Sequence, residues 1–240
     1  MAEHIAISAS AVESDPFNAA SLEAFRSIGC NQTVMAYSLV PECIERLEAA
    51  DSITIMGTPL HYSKKTAEVL AYYFQGMEDA KLKKVLGNCA GMQALALVFG
   101  GKMNRDEKLE VGPTEVETIK GRENNLILNG LGRTFMIDNL HRASIDLSDA
   151  PDIECVARSA KCEVQIMEVL GQHGYVFGAQ GHPENGWHGL KLLRNFLDLP
   201  EKITPLLDIA NDTSFKQTSS GLVLPNGQKH DPPDSLVIAT

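Results

Sequence analysis

A short strand that turns into a helix through a glycine-flanked cysteine is the feature that most constrains this chain. Residues 85–93 read VLGNCAGMQ, with Gly87 and Gly91 each two positions from Cys89. Glycines on both sides remove side chains that would clash in a sharp turn, which leaves the residue at the apex exposed on a strained backbone. The segment therefore predicts a nucleophile elbow with Cys89 at its apex. The alternative is a buried cysteine packed in a tight turn.

Two chemical consequences follow from such an elbow. The amino terminus of the following helix favours the thiolate form of a cysteine placed there. The main-chain N–H of the next residue, Ala90, points to where an oxyanion forms during attack on a carbonyl group. We therefore expect Cys89 to act as a nucleophile and Ala90 to provide one oxyanion contact.

A cysteine nucleophile needs a base, and residues 178–184, which read GAQGHPE, follow a predicted strand. Pro183 biases His182 to an extended backbone, on which residues two apart face the same way. Glu184 is then expected to reach one imidazole nitrogen while the other faces sulfur. This arrangement predicts a Cys89-His182-Glu184 triad, in which the carboxylate fixes the tautomer of the base. Read alone, the triplet also fits a solvated surface turn.

The remaining sequence predicts an α/β fold with an open, mostly parallel sheet flanked by helices. Apolar runs alternate with helical periods in the first part of the chain, whereas a period of two dominates between residues 114 and 180, where a mixed or antiparallel section is expected. Strands are predicted at 4–8, 33–37, 52–56, 84–87, 114–118, 133–137, 153–158, 164–169 and 175–179. Helices are predicted at 20–28, 42–50, 64–74, from 90 onward, and at 187–197.

The end of the last predicted helix marks the expected boundary of the domain. Residues 1–198 are expected to form one domain. Residues 199–240 contain five prolines among scattered polar residues, which is typical of an extension of marginal order or of a docking segment.

Composition excludes several classes of protein. The 240 residues are 44% hydrophobic, enough to fill a core, and 21 Lys and Arg against 31 Asp and Glu give a net charge of −10, which argues against nucleic-acid binding. No apolar run approaches the ~20 residues that span a bilayer, so a cytoplasmic protein without membrane contact is expected. The five cysteines lack paired spacing, which argues against a disulfide scaffold or a structural zinc site.

The two motifs and their order resemble the class I (triad) glutamine amidotransferase family. The resemblance covers roughly residues 1–198 and joins Gly-x-Cys-x-Gly-Met-Gln to a later Gln-x-His-Pro-Glu. In detail the chain is most similar to the stand-alone glutaminase subunits of two-subunit GMP synthetases. This similarity rests on Asn129-Gly130-Leu131 and on the segment 157–165, which reads ARSAKCEVQ.

The resemblance implies a flavodoxin-like fold and a role for each matching residue. Cys89 would form a γ-glutamyl thioester with L-glutamine, His182 would move protons, and Glu184 would orient His182. The oxyanion hole would involve Ala90 and the Gly57-Thr58 turn. The substrate glutamine would be held near Gly91 and Gln93, with further contacts from the loop that carries His141, Arg142 and Ala143.

Two positions depart from the family pattern. Gly57-Thr58-Pro59 carries a threonine where the family usually has a second glycine, and a positive φ at that position would strain a β-branched residue. Gly181 replaces a residue that is commonly bulky and apolar, so a looser pocket is expected there.

Three functions remain open at this point. The first is a glutaminase subunit that supplies ammonia to a separate ATP-dependent synthetase; it would hold no cofactor or metal, since ATP and Mg²⁺ would bind the partner. The second is a γ-glutamyl peptidase or hydrolase that uses the same triad alone. The third is a binding subunit without catalysis, against which the intact triad speaks.

Overall fold

The computed structural model describes residues 3–9, 15–58, 84–104, 109–170 and 174–200. The predicted helix at 64–74 and Pro59 lie outside these residues, as does the chain beyond residue 200. Among the described helices, none is both long enough and apolar enough to cross a membrane.

The described chain forms eleven strands, nine of which make one sheet in the order β2-β1-β3-β4-β11-β10-β9-β6-β7. The first five strands of this order pair in parallel, and the last four pair antiparallel. The strands are β1 His4–Ser8, β2 Gln32–Ala36, β3 Ser52–Ile55, β4 Lys84–Asn88, β5 Lys102–Asn104, β6 Glu110–Thr118, β7 Thr134–His141, β8 Ser144–Asp146, β9 Ile153–Ser159, β10 Ile166–Val169 and β11 Tyr175–Ala179. The predicted fold, parallel first and antiparallel later, is confirmed.

Four described α-helices flank the sheet: α1 Pro16–Ser27, α2 Ile44–Ala49, α3 Ala90–Val98 and α4 Gly189–Leu197. Helix α1 begins four residues before its predicted start, because Asp15 caps it by accepting a hydrogen bond from the Phe17 N–H and Pro16 fits the first turn. The next helix, predicted at 42–50, begins at Ile44, because residues 37–42 form a 3₁₀ turn that precedes α2.

The last helix begins two residues later than the sequence predicts. Gly186 and Trp187 have φ values of 100° and 52°, which lie outside the right-handed helical region. Helix α4 therefore starts only at Gly189. A Cβ on this residue would lie 2.3 Å from the Pro183 carbonyl oxygen, so the helix approaches the segment after β11 closely.

Two apolar cores fill the two faces of the sheet, and neighbouring residues on one strand point into different cores. Val85 and Val176 belong to the core that includes α3, whereas Leu86 and Phe177 belong to the core that includes α1 and α4. This burial on both faces explains the nearly continuous apolar runs of the central strands.

The strands of the antiparallel section differ in extent from the prediction: β6 and β7 are longer, whereas β10, predicted at 164–169, begins only at Ile166. Strand β7 continues to His141 because its polar residues still pair with β6: Asp138 lies opposite Pro113, and Asn139 lies opposite Gly112. The short strands β5 and β8, which pair with each other, were missed because three residues carry too little pattern to recognise.

Candidate active site

The strand-to-helix turn after β4 has the geometry of an elbow. Cys89 adopts φ 49° and ψ −110°, an unusual backbone conformation for a residue with a side chain, and α3 begins at the next residue, Ala90. The Cys89 N–H donates to the Ala179 carbonyl over 2.7 Å, which ties the elbow to the end of β11. The first N–H groups of α3 have no acceptor within their own helix, so they are placed to meet a developing negative charge.

The two flanking glycines are required by close packing. A Cβ on Gly87 would lie 2.6 Å from the main chain of Gly91 and Met92, and a Cβ on Gly91 would lie 2.0 Å from the Ile55 carbonyl oxygen. No other residue type fits either position without moving the backbone. The predicted reason for these glycines is confirmed.

His182 and Glu184 form a buried pair beside the cysteine. His182 Nδ1 lies 2.9 Å from Glu184 Oε1, and the two residues are 3% and 7% exposed. The pairing was predicted from an extended backbone, but Glu184 lies in a 3₁₀ turn, Pro183–Asn185, which brings it back toward the ring. The His182 N–H also donates to the Asp138 carbonyl over 2.7 Å, which anchors the histidine to β7.

The electrostatics of the pair favour a charged imidazole ring. Burial lowers the pKa of His182, but the negative charge of Glu184 and the hydrogen bonds to Cys89 and Glu184 outweigh burial and raise the pKa well above its ordinary value. Because the carboxylate engages Nδ1, the other ring nitrogen remains for Cys89. The arrangement can hold a proton next to sulfur and release it to a leaving group.

The turn after β3 lies directly against these side chains. A Cβ on Gly57 would lie 2.9 Å from His182 Cε1 and 3.2 Å from Cys89 Cβ. Any side chain at this position would therefore press against the histidine and the cysteine. Thr58 is 6% exposed, and its φ is not among the positive values of the described residues. The strain considered for Thr58 from its sequence is therefore absent.

Gln93 lies at the centre of a buried amide chain that leads to the cysteine. Its Nε2 donates to the Ala143 carbonyl and to Gln180 Oε1, each over 3.3 Å. Gln180 Nε2 lies 3.9 Å from Cys89 Sγ. Gln93 Oε1 has no partner in the described part of the chain, so this buried acceptor can receive a hydrogen bond from a ligand.

The three loop residues that were expected to contact substrate differ in their exposure and in their partners. The Ala143 carbonyl contacts Gln93, as above, whereas Arg142 is exposed. His141 Nδ1 lies 3.1 Å from the Ala143 carbonyl oxygen, and its Nε2 lies 3.0 Å from Glu110 Oε2, so both ring nitrogens face acceptors. Through these contacts the His141 ring holds the loop in place. Its contact with substrate stays a prediction.

Glu110 completes this second buried cluster. It accepts hydrogen bonds from Ser159 Oγ and Gln165 Nε2, over 3.1 and 3.0 Å. Burial raises the pKa of Glu110, but the hydrogen bond to His141 and its charge outweigh burial and hold the pKa below its ordinary range.

The same cluster contains a set of atoms with metal-ligand chemistry. Ligand atoms of Glu110, His141 and Cys162 lie within 4.8 Å of one another, and all three residues are buried. Each already has a protein partner, because Glu110 and His141 pair with each other and Cys162 Sγ lies 3.4 Å from the Val164 carbonyl oxygen. We therefore interpret the cluster as a hydrogen-bonded support of the loop.

The prediction of a looser pocket at Gly181 is wrong. A Cβ at this position would lie 2.5 Å from Ile137 Cγ2, 2.7 Å from the Asp138 carbonyl oxygen and 2.8 Å from Asn139 Oδ1. Strand β7 fills the space that a bulky residue would need, so the glycine permits close packing.

Sequence reasoning missed Asn88, Gln180 and Glu110. Asn88 is wholly buried, and its Nδ2 donates to Glu184 Oε2 over 3.2 Å. A signal was present for Asn88, since it is the one amide in the apolar strand before Cys89. Gln180 was part of the Gln-x-His-Pro-Glu motif but received no role of its own, and Glu110 gave no signal because its partners come from distant parts of the sequence.

Known proteins resemble this chain in sequence and in fold. The sequence profile of the family named Glutamine amidotransferase class-I matches residues 13–199. The chain belongs to the class I glutamine amidotransferase family.

Two relatives of this amidotransferase show which kinds of amidotransferase it is similar to in sequence. It is 29% identical over 176 residues to a glutamine-hydrolyzing GMP synthase subunit from Pyrococcus abyssi, covering 72% of this chain and 88% of that protein. It is 38% identical over 119 residues to the glutamine-hydrolyzing GMP synthase of Aeropyrum pernix, covering 49% of this chain but only 22% of that longer protein.

A solved structure shares the fold. A Thermoplasma acidophilum protein described as a candidate subunit of GMP synthase superposes with a TM-score of 0.66 at 20% identity, over 82% of this chain and 93% of the other. At this identity the likeness supports the amidotransferase fold.

Proposed function

We propose that this chain is a glutaminase subunit that hydrolyses the side-chain amide of L-glutamine and supplies ammonia to a separate ATP-dependent synthetase. The observation that carries the proposal is the buried His182–Glu184 pair, 2.9 Å between Nδ1 and Oε1, beside a cysteine held at φ 49°. This set contains a nucleophile, a proton carrier and an orienting carboxylate, which are the parts that acyl transfer to sulfur requires.

The first half of the proposed reaction forms a thioester. Cys89 Sγ attacks the amide carbon of glutamine, and the carbonyl oxygen becomes an oxyanion near the Ala90 N–H and the Gly57-Thr58 main chain. The carbon–nitrogen bond then breaks as His182 gives its proton to the departing nitrogen. Ammonia leaves, and the γ-glutamyl group remains on sulfur.

The second half returns the enzyme to its starting state. His182, now neutral, takes a proton from water as the water oxygen attacks the thioester carbon. The carbon–sulfur bond breaks, glutamate leaves, and the thiolate again faces the protonated ring. Glu184 stays ionised throughout and holds the ring in one orientation.

Gln93 is the proposed anchor for the substrate. Its Oε1 is a buried acceptor without a partner among the described residues, and its Nε2 donates to Gln180, whose own Nε2 lies 3.9 Å from Cys89 Sγ. A buried acceptor selects for a ligand that donates a hydrogen bond. The Ala143 carbonyl supports this position by accepting a hydrogen bond from Gln93 Nε2 over 3.3 Å, and a substrate contact at Gly91 stays a prediction.

The partner we propose is a synthetase that makes GMP. Curated relatives that align along most of their length are named as glutamine-hydrolyzing subunits of GMP synthase, and a single-chain GMP synthase contains a matching part as about a fifth of its length. In this proposal ATP and Mg²⁺ bind the synthetase, and this chain holds neither a cofactor nor a metal. Residues 1–198 carry the activity, and a cytoplasmic location stays a prediction from the sequence.

Two substrates separate this proposal from the γ-glutamyl peptidase. Purified protein, alone and with a GMP-forming synthetase, is given either glutamine or a γ-glutamyl dipeptide, and release of glutamate is measured. The proposal expects release from glutamine, with little release from the dipeptide. Preference for the dipeptide in both conditions would establish the peptidase instead.

A further inference from the structure

Both carboxylate oxygens of Glu184 have partners, and the second partner comes from the strand that carries the nucleophile. Oε1 bonds to His182 Nδ1 over 2.9 Å, and Oε2 accepts a hydrogen bond from Asn88 Nδ2 over 3.2 Å. Asn88 is the last residue of β4, directly before Cys89, and is wholly buried. One short segment therefore presents the thiol and also contacts the carboxylate that orients the base.

Asn88 occupies this position at a cost to folding. Its Oδ1 has no hydrogen-bond partner in the described part of the chain, although the residue is 0% exposed. A buried acceptor without a partner loses its bonds to water and gains nothing in return. Its strand neighbours Val85 and Leu86 are apolar, so a leucine of similar size would avoid this cost.

We infer that Asn88 is a positioning residue that fixes Glu184 and thereby sets the orientation of His182. The inference rests on the proposed function. An amide N–H donates to the ionised carboxylate, which only accepts, and this contact holds Oε1 toward the ring. The second ring nitrogen then stays directed at Cys89. The site becomes a relay of four residues in which Asn88 contacts neither substrate nor sulfur with its side chain.

A positioning role predicts a loss of kcat beyond the loss of stability that a purely structural role would cause. Removing the amide eliminates one unpaired buried oxygen, Asn88 Oδ1, but it also leaves the buried Glu184 Oε2 without its donor, so the free energy of unfolding falls. The same change frees one side of Glu184, so the proton-transfer steps slow while substrate binding is retained. Asn195 offers a matched control, since its buried Nδ2 donates to the carbonyls of Ile127 and Asn129, away from the triad.

The test compares Asn88→Leu and Asn88→Asp with Asn195→Leu in the full chain. For Asn88→Leu we expect kcat to fall about tenfold or more, as for loss of a hydrogen bond to a charged group, with KM within about twofold and a lower unfolding midpoint in a protein that stays folded. For Asn88→Asp two facing carboxylates share a proton, so the acidic limb of the pH–rate profile moves to higher pH. Asn195→Leu should lower the unfolding midpoint and leave kcat and the profile unchanged.

A second readout keeps this test independent of glutamine hydrolysis. Alkylation of Cys89 by iodoacetamide, followed across pH by mass spectrometry of the Cys89 peptide, reports the thiol and its histidine without any substrate. Wild-type protein without glutaminase activity would defeat the proposed function, while a changed alkylation profile in Asn88→Leu would still support the role of Asn88. Wild-type kcat together with a wild-type alkylation profile in Asn88→Leu would overturn it. Should the leucine variant not fold, Asn88→Val and Asn88→Asp give the same comparison.

Discussion

The Cys89 N–H donates to the Ala179 carbonyl over 2.7 Å, and this main-chain hydrogen bond ties the nucleophile to the strand that leads to His182. Strands β4 and β11 are parallel neighbours in which Asn88 lies opposite Ala179. The nucleophile follows one strand by one residue, and His182 follows the other by three. Residues that are 93 positions apart in sequence thus meet at one sheet edge, where parallel strands end together.

The two partners of the cysteine should differ in importance. His182→Ala removes the proton carrier, and we expect kcat to fall about ten-thousandfold or more, whereas Glu184→Gln should cost at least about tenfold less because it removes only orientation and charge. Steady-state glutamate release measures both. Equal losses would contradict this division of roles.

The same Glu184→Gln variant should change the pH profile in a defined direction. The charge of Glu184 helps to raise the pKa of His182, so the imidazolium persists to a higher pH than an isolated ring allows. Without that charge the proton is lost at lower pH. The alkaline limb of the Cys89 alkylation profile should therefore move toward lower pH.

Gly57 should tolerate no side chain. A Cβ there would lie 2.9 Å from His182 Cε1 and 3.2 Å from Cys89 Cβ, so Gly57→Ala should displace one of them and lower kcat by about tenfold or more with the fold retained. Gly101→Ala is the control, because the three atoms nearest to its Cβ would all belong to Ala96, at 3.0 Å or more, away from the triad. An active Gly57→Ala enzyme would show that the turn moves away from the triad.

His4 should make the domain sensitive to acid. Burial lowers its pKa from 6.5 to about 3, and its ring is stacked on Phe25 and bonded to Ser52 and Thr54. Below about pH 6.5 this histidine binds a proton in the unfolded chain but stays neutral in the folded chain. The free energy of unfolding therefore falls as pH falls, by up to about 1.4 kcal/mol per pH unit from this residue.

Chemical denaturation of wild type and His4→Gln between about pH 7 and about pH 5 measures this contribution. The variant should lose less stability than wild type over that range, whatever its stability at neutral pH. The same pH dependence in both proteins would show that His4 is not the cause.

The boundary of the domain gives a further prediction. Phe196 and Leu199 are buried in the second core, so a chain that ends at Pro200 should fold and keep its glutaminase activity, whereas a chain that ends at Arg194 should not fold. Thermal unfolding and glutamate release compare the two. A melted or insoluble product from the longer chain would place part of the fold beyond residue 200.

Local patterns predicted the elements that deliver the triad. The glycines around Cys89 and the proline after His182 act within a few residues, so the elbow and the His182–Glu184 contact could be expected before the fold was known. The 3₁₀ turn that carries Glu184 could not, because an extended backbone and a tight turn both bring residues two apart to the same side of the chain.

The contacts that support the site depend on tertiary packing and escaped prediction. Asn88 reaches Glu184 across 96 positions, and Glu110 reaches Gln165 across 55. At Gly181 the sequence suggested open space, whereas β7 fills it with Ile137 and Asn139. Which side chain faces a glycine is decided by the pairing of distant strands, and no local pattern records that pairing.

The central claim is that Cys89 carries the γ-glutamyl group during glutamine hydrolysis. The most direct measurement is glutamate release from glutamine by the wild-type chain and by Cys89→Ala, with acid-quenched intact-mass analysis during turnover and the synthetase partner present. The account predicts turnover and a mass increase of one γ-glutamyl group in wild type, and neither in a folded Cys89→Ala protein. Release by Cys89→Ala above about one part in a thousand of the wild-type rate would contradict it.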